Sequence, residues 1–161
     1  MPAPSRRGSL WALPAASDAP PFVTEITRLA ALVDTDAFAP HITIVGAMAG
    51  EVDAAIGSFT PFQVTLIGLA DSEARFRCIT ATVAGAQRLL DLRSACGEAP
   101  DEYEPHLSLL YAELPPETRA ALRASVELPL PMPITIDTVS LVDTSDNDYT
   151  RWTTERRWHL G

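Results

Sequence analysis

The chain has 161 residues, a hydrophobic fraction of 47%, an aromatic fraction of 7% and a formal net charge of −9. Its length and a mean hydropathy near zero fit a single soluble globular domain over 1–161 that buries its own core without disulfide staples or a structural metal. The acidic balance argues against a protein held on nucleic acid by a basic face. All twelve basic residues are arginine, so lysine Schiff bases and the lysine-dependent phosphate loop are excluded as well.

No segment approaches the roughly 18 consecutive apolar residues of a membrane span. Ser5-Arg6-Arg7 superficially resembles a twin-arginine start, but Pro14 interrupts the apolar run that follows, and export is not expected. Two cysteines, Cys78 and Cys96, are too few for a secreted disulfide framework, so a reduced cytoplasmic setting is the expectation. Whether the two pair is not fixed by their spacing.

Ser9 to Leu13 reads as a short strand closed by Pro14, and Phe22, Ile26, Leu29 and Val33 then recur at helical spacing. His41 to Val45 alternates in period two before Gly46, and Val52, Ile56 and Phe59 mark a second helix. Phe62 to Leu69 and Phe76 to Val83 are β-branched runs joined by a polar connector, which predicts an antiparallel hairpin. A third helix carries Leu89, Leu92 and Cys96 on one face and stops at Gly97; His106 to Tyr111 is a fifth strand. A fourth helix starts after Pro115-Pro116-Glu117, where proline and an acid favour it. Leu128 to Pro133 reads as a stiff extended connector into a last hairpin, Ile134 to Asp143 and Arg151 to Leu160, around the turn-rich acidic loop Thr144 to Tyr149. Strands and short helices interleave, which predicts an α+β fold.

Phe38-Ala-Pro-His41-Ile-Thr43-Ile44 and Tyr103-Glu-Pro-His106-Leu-Ser108-Leu109 share one chemical pattern at all but one position. The chain has three histidines, and two of them hold the same place in the two copies. Each proline marks a strand start, and alternation puts His41 with Thr43, and His106 with Ser108, on one face. Strands related by a pseudo-twofold would bring two imidazoles and two hydroxyls together across a cleft. That set suits phosphoryl chemistry: one neutral imidazole takes a proton from water, the other as imidazolium protonates the leaving oxygen, and the hydroxyls hold the equatorial oxygens. His159 has no partner motif and reads as structural or surface.

The repeated His-x-(Thr/Ser)-x pattern resembles the two-histidine (2H) phosphoesterase superfamily, and the details look like its plant and fungal cyclic phosphodiesterase branch. The resemblance runs over nearly the whole chain, through Ser9-Leu-Trp-Ala-Leu-Pro14, both motifs, Phe76-Arg-Cys78, Asp143-Thr144 and Trp152-Thr-Thr. It implies a bilobal fold in which two antiparallel sheets face each other across a central cleft with helices outside. It further implies opening of nucleoside 2',3'-cyclic phosphates to 2'-phosphates, or of ADP-ribose 1'',2''-cyclic phosphate, with no metal and no other cofactor. His41 and His106 match the catalytic pair, Thr43 and Ser108 the phosphate-holding hydroxyls, and Trp11, Phe76 and Tyr111 the aromatic lining of the substrate pocket. From the residues alone, those aromatics could equally be sheet core.

The expected partner is a small cyclic phosphate or nucleotide, with no stable nucleic acid, no membrane and a monomeric state. Two other readings stand beside this one: an RNA enzyme of the same superfamily acting on 2',5' linkages, which the acidic charge disfavours, and a nucleotide-binding module without turnover. Metal ligation by the histidines fits poorly, since no carboxylate or cysteine cluster adjoins them. Cys78 as nucleophile fits worse, since it lies among apolar residues.

Overall fold

The computed structural model describes residues 8–48, 52–98 and 103–161, so Ser5-Arg6-Arg7 lies outside the described residues. Among the described residues, seven strands and four α-helices follow in the order β1 (Gly8–Pro14), α1 (Pro20–Leu32), β2 (Ile42–Met48), α2 (Asp53–Gly57), β3 (Phe62–Asp71), β4 (Ile79–Ala84), α3 (Gln87–Ala95), β5 (His106–Leu110), α4 (Pro116–Ser125), β6 (Met132–Asp143) and β7 (Thr153–His159). No helix of the described residues is long and apolar enough to cross a membrane.

The strands hydrogen-bond in the order β1-β2-β5-β4-β3-β6-β7, every pair antiparallel, and β6 also pairs with β1. The sheet therefore closes on itself like a barrel. This replaces the expected pair of separate sheets, and two features explain it. The twelve-residue β6 is long enough to pair with β3 over Met132 to Ile136 and with β1 over Ile136 to Asp143. The two histidine strands also touch directly, with Ile42 opposite Leu107.

One face of this sheet is apolar. Leu10, Ala12, Ile42, Ile44, Leu107, Leu109, Ile79 and Ala81 are buried on it, where α1 packs on β5, α3 on β2 and α4 on β3 and β4. Helix α1 reads as expected: prolines open it, and Phe22, Ile26 and Leu29 point inward at i, i+4 and i+7. Its buried Glu25 is held by Arg28 in a two-pronged ion pair and accepts from Glu127 N at 3.1 Å, which ties α1 to the segment after α4. The Arg28 hydrogen bond keeps the Glu25 carboxyl below its usual range despite burial.

Two local expectations change. The connector before the last hairpin is shorter than expected, because Met132 and Pro133 already belong to β6, with Pro133 opposite Thr65 near the strand's start, where a missing donor is tolerated. The run from Phe76 does not begin as a strand. Arg75–Arg77 is a single 3-10 turn and β4 starts only at Ile79. The carbonyls of that turn are satisfied from the end of β5, not from a strand ladder: Ala112 N donates to Arg75 O at 3.0 Å and Ser108 Oγ to Phe76 O at 2.8 Å. Cys78 and Cys96 are free thiols, both pushed up in pKa by burial.

Candidate active site

In each motif the proline lacks a backbone donor and holds the preceding residue extended, and the imidazole folds back on the carbonyl two residues upstream. His41 Nδ1 lies 2.8 Å from Ala39 O, and His106 Nδ1 lies 2.9 Å from Glu104 O. A carbonyl only accepts, so Nδ1 donates in both rings, and Nε2 is the nitrogen left for chemistry.

Antiparallel register brings the two motifs together. Counting outward from Ile42 opposite Leu107 sets His41 level with Ser108 and Thr43 level with His106. All four side chains therefore leave the sheet on the face opposite the apolar one. They line one cavity of about 340 Å³ with Ser9, Trp11, Gly46, Phe76, Arg77, Tyr111, Thr144 and Trp152. Every sequence-predicted site residue is in that set.

The two rings differ in surroundings. His41 is 4% exposed. Trp11 stacks on it with ring centroids 3.5 Å apart and planes 9° from parallel, and Trp11 is itself fixed by its Nε1–H donating to Ser9 Oγ at 2.9 Å. Tyr111 Oη lies 3.2 Å from His41 Nε2 and donates to it, because the proton of the neutral ring sits on Nδ1. Burial drives the His41 pKa down to about 4, with the nearby His106 adding to the effect. His106 is half-buried; burial lowers its pKa too, and the positive charge of Arg77 acts in the same direction.

The hydroxyls also divide. Ser108 donates its proton to the Phe76 carbonyl, which leaves its oxygen to accept. Thr43 lines the cavity while its backbone carbonyl accepts from Tyr103 Oη at 2.8 Å.

The aromatics Trp11, Phe76 and Tyr111 all border the cavity, Trp11 and Tyr111 as buried side chains. Phe76 is 39% exposed on its 3-10 turn and meets Tyr111 edge-on at 5.1 Å. Phe38, inside the first motif, stacks on Tyr111 at 3.7 Å. Sequence reasoning missed Ser9, Gly46, Arg77, Thr144 and Trp152 as lining residues. Alternation along an assumed strand would turn Arg77 away from Phe76, and only the 3-10 turn puts both on the cavity. The loop of Thr144 and Trp152 is built from side-chain turns, with Ser145 on Asp143, Thr150 on Asp148 and Trp152 Nε1 on Asp146 O. The polar composition signalled a turn, but nothing in it signalled which surface the turn would cover.

Beyond Tyr111 lies a second depression of about 420 Å³, walled by Asp34, Asp36, Glu113 and Asp148 with Arg75. Among the described residues, no three His, Cys, Asp or Glu side chains converge as metal ligands.

Comparison with known proteins agrees with this architecture. Escherichia coli LigT in complex with phosphate superposes with a TM-score of 0.60 at 18% identity, covering 96% of this chain and 97% of that one. LigT in complex with 3'-AMP gives 0.59 at 16% identity, covering 98% and 99%. Usb1 from Kluyveromyces marxianus gives 0.51 at 12% identity, covering 95% and 99%. At such identities these likenesses carry the fold alone. No curated protein matches the sequence. The model of the 2'-5' RNA ligase superfamily, however, matches residues 21–148, most of the chain and both histidine motifs. The chain therefore belongs to the 2'-5' RNA ligase superfamily of two-histidine phosphoesterases, enzymes that act on phosphodiester bonds.

Proposed function

We propose that this chain hydrolyses small cyclic phosphates, nucleoside 2',3'-cyclic phosphates or ADP-ribose 1'',2''-cyclic phosphate, by general acid/base catalysis between His41 and His106 without a metal. The observation that carries this reading is the pair of imidazoles, each clamped through Nδ1 to its own strand, sharing one cavity of about 340 Å³ with two hydroxyls. That volume holds a nucleoside-sized ligand.

His41 is the better base. Its ring is neutral at pH 7, since its pKa is held near 4, and once Tyr111 gives way its Nε2 takes a proton from water. The water oxygen bonds to phosphorus, the bond from phosphorus to the 3'-oxygen breaks, and His106 as imidazolium protonates that oxygen to leave the 2'-phosphate. Thr43 donates to an equatorial phosphate oxygen. Trp11, Phe76 and Tyr111 offer flat surfaces for a base or ribose, a contact worth about 1–3 kcal/mol per stacked base.

The acidic walls beyond Tyr111 support a small substrate over a polynucleotide, whose successive phosphates they would repel. The test is a purified-protein assay of a 2',3'-cyclic mononucleotide against an oligonucleotide ending in a cyclic phosphate, in chelator. The mononucleotide should turn over faster; preference for the oligonucleotide would favour the RNA-processing reading, and no turnover of either would defeat the proposal.

A further inference from the structure

Charge balance in the catalytic cavity leaves one requirement unmet by the residues assigned so far. A cyclic phosphodiester is an anion, and attack on it gathers further negative charge on the equatorial oxygens. Burial works against a positive charge on either imidazole. Ser108 has spent its proton on Phe76 O. Among the described residues that line the cavity, one carries a fixed positive charge, and it is Arg77.

Arg77 is placed for such a task. It closes the 3-10 turn whose Phe76 carbonyl holds Ser108, so its backbone is tied to the second motif. Its side chain borders the catalytic cavity and also the two smaller hollows that flank His106, one lined by Asp71 and Thr82, the other by Thr43 and Tyr103. It is 47% exposed, and its ion pair with Glu104 is long, 3.9 Å, to a carboxylate that is itself 85% exposed. An exposed pair of that length holds its partners weakly. The other nearby guanidinium groups are committed elsewhere. Arg93 donates to Ile44 O at 2.8 Å and lies over the Tyr103 ring. Arg75 lies over Phe76 and Tyr149, toward the acidic depression.

We infer that Arg77 is the anion-binding residue of this site, exchanging its loose contact with Glu104 for the non-bridging oxygens of the substrate phosphate beside His106. The inference rests on the cyclic-phosphate reading for its substrate, and adds a residue that the two-histidine repeat does not contain. A guanidinium presents a fork of donors that matches two phosphate oxygens at once. Glu104 then acts as a placeholder whose displacement costs little.

The experiment compares wild type with Arg77→Ala, Arg77→Lys and Glu104→Gln, using a 2',3'-cyclic mononucleotide for turnover and inorganic phosphate for binding by calorimetry. Arg77→Ala should lower kcat/KM and weaken phosphate binding by roughly 10- to 100-fold, the range of a charge-assisted hydrogen bond. Arg77→Lys should recover part of both, and free guanidinium ion should partly rescue Arg77→Ala. Glu104→Gln should tighten phosphate binding severalfold.

The pH profile separates this role from mere folding. His106 is faced by Arg77 from the 3-10 turn, by Glu104 from its own segment and by His41 from across β2, with Asp71, Arg93 and Tyr103 bordering the flanking hollows. Removing the Arg77 charge removes one of the influences that oppose protonation, so the limb carried by His106 should move to higher pH. If Arg77→Ala keeps kcat/KM and phosphate affinity within twofold of wild type and leaves the profile in place, the inference is wrong. If His41→Ala and His106→Ala are as active as wild type, or the wild type turns over no cyclic phosphate, it is the proposed function that fails, and the phosphate-binding arm still decides the role of Arg77.

Discussion

At His41 the ring lies under Trp11 with Tyr111 on its Nε2; at His106 the ring is half-buried, and its neighbours in the cavity include Gly46 and Arg77. The two motifs are near copies with identical Nδ1 clamps, so the difference arises outside the repeated residues. Part of it traces to one position. Five residues after each histidine stands Gly46 in the first motif and Tyr111 in the second, and Tyr111 reaches across the pseudo-twofold to cap His41. Gly46 has no side chain with which to reach His106. A duplicated pair of rings thereby becomes one sealed, neutral imidazole and one more open imidazole, which is how a symmetric repeat can supply a distinct base and acid.

The largest expected effect tests whether both halves are needed. His41→Ala and His106→Ala should each lower kcat by about 10²–10⁴-fold, with the double variant little worse than the weaker single, because the two act in one step. Additive losses would show that they act separately.

The next effect belongs to the sealed half alone. His41 titrates near 4 when folded and at its ordinary 6.5 when unfolded, so the unfolded chain binds the proton first as pH falls. The stability from keeping this ring neutral is full above about pH 6.5 and is lost progressively down to about pH 4, roughly 3 kcal/mol in all. Chemical denaturation across that range should show the loss, and His41→Asn should flatten it. His106→Asn should flatten it less.

The hydroxyls give a third contrast. Ser108→Ala removes the part-buried hydrogen bond to the Phe76 carbonyl and should cost about 0.5–1.5 kcal/mol of stability, read as a lower midpoint in urea. Thr43→Val should leave the midpoint nearly unchanged and raise KM or lower kcat. If Ser108→Ala instead keeps full stability, the tie between β5 and the 3-10 turn matters less than the geometry implies.

The smallest effects test the cap itself. Tyr111→Phe removes a donor to the neutral form of His41, so the acid limb of the rate profile should move to higher pH by about half a unit. Gly46→Tyr would restore the missing cap on the other side, and an added Cβ there meets no heavy atom within 4 Å. It should fold and should slow turnover by obstructing His106. A Gly46→Tyr enzyme with an unchanged pH profile would break the link between this position and the asymmetry.

Much of the site was legible in the sequence because its core is local. Proline before histidine sets the strand start and the carbonyl that holds Nδ1, and alternation sets Thr43 and Ser108 on the histidine face; each of these needs only a few consecutive residues. Helix positions were legible for the same reason, since Phe22, Ile26 and Leu29 carry their own periodicity. What the tertiary structure decided is everything that depends on hydrogen bonds between distant segments. Phe76 and Arg77 leave the strand because Ser108 and Ala112 satisfy the turn's carbonyls from more than thirty residues away. The sheet closes because β6 is shared between β3 and β1. The unequal proton affinities of two near-equal motifs come from unequal burial, His41 sealed beneath Trp11 and Tyr111 and His106 half-open, and no local pattern encodes it, because burial acts through space and not along the chain.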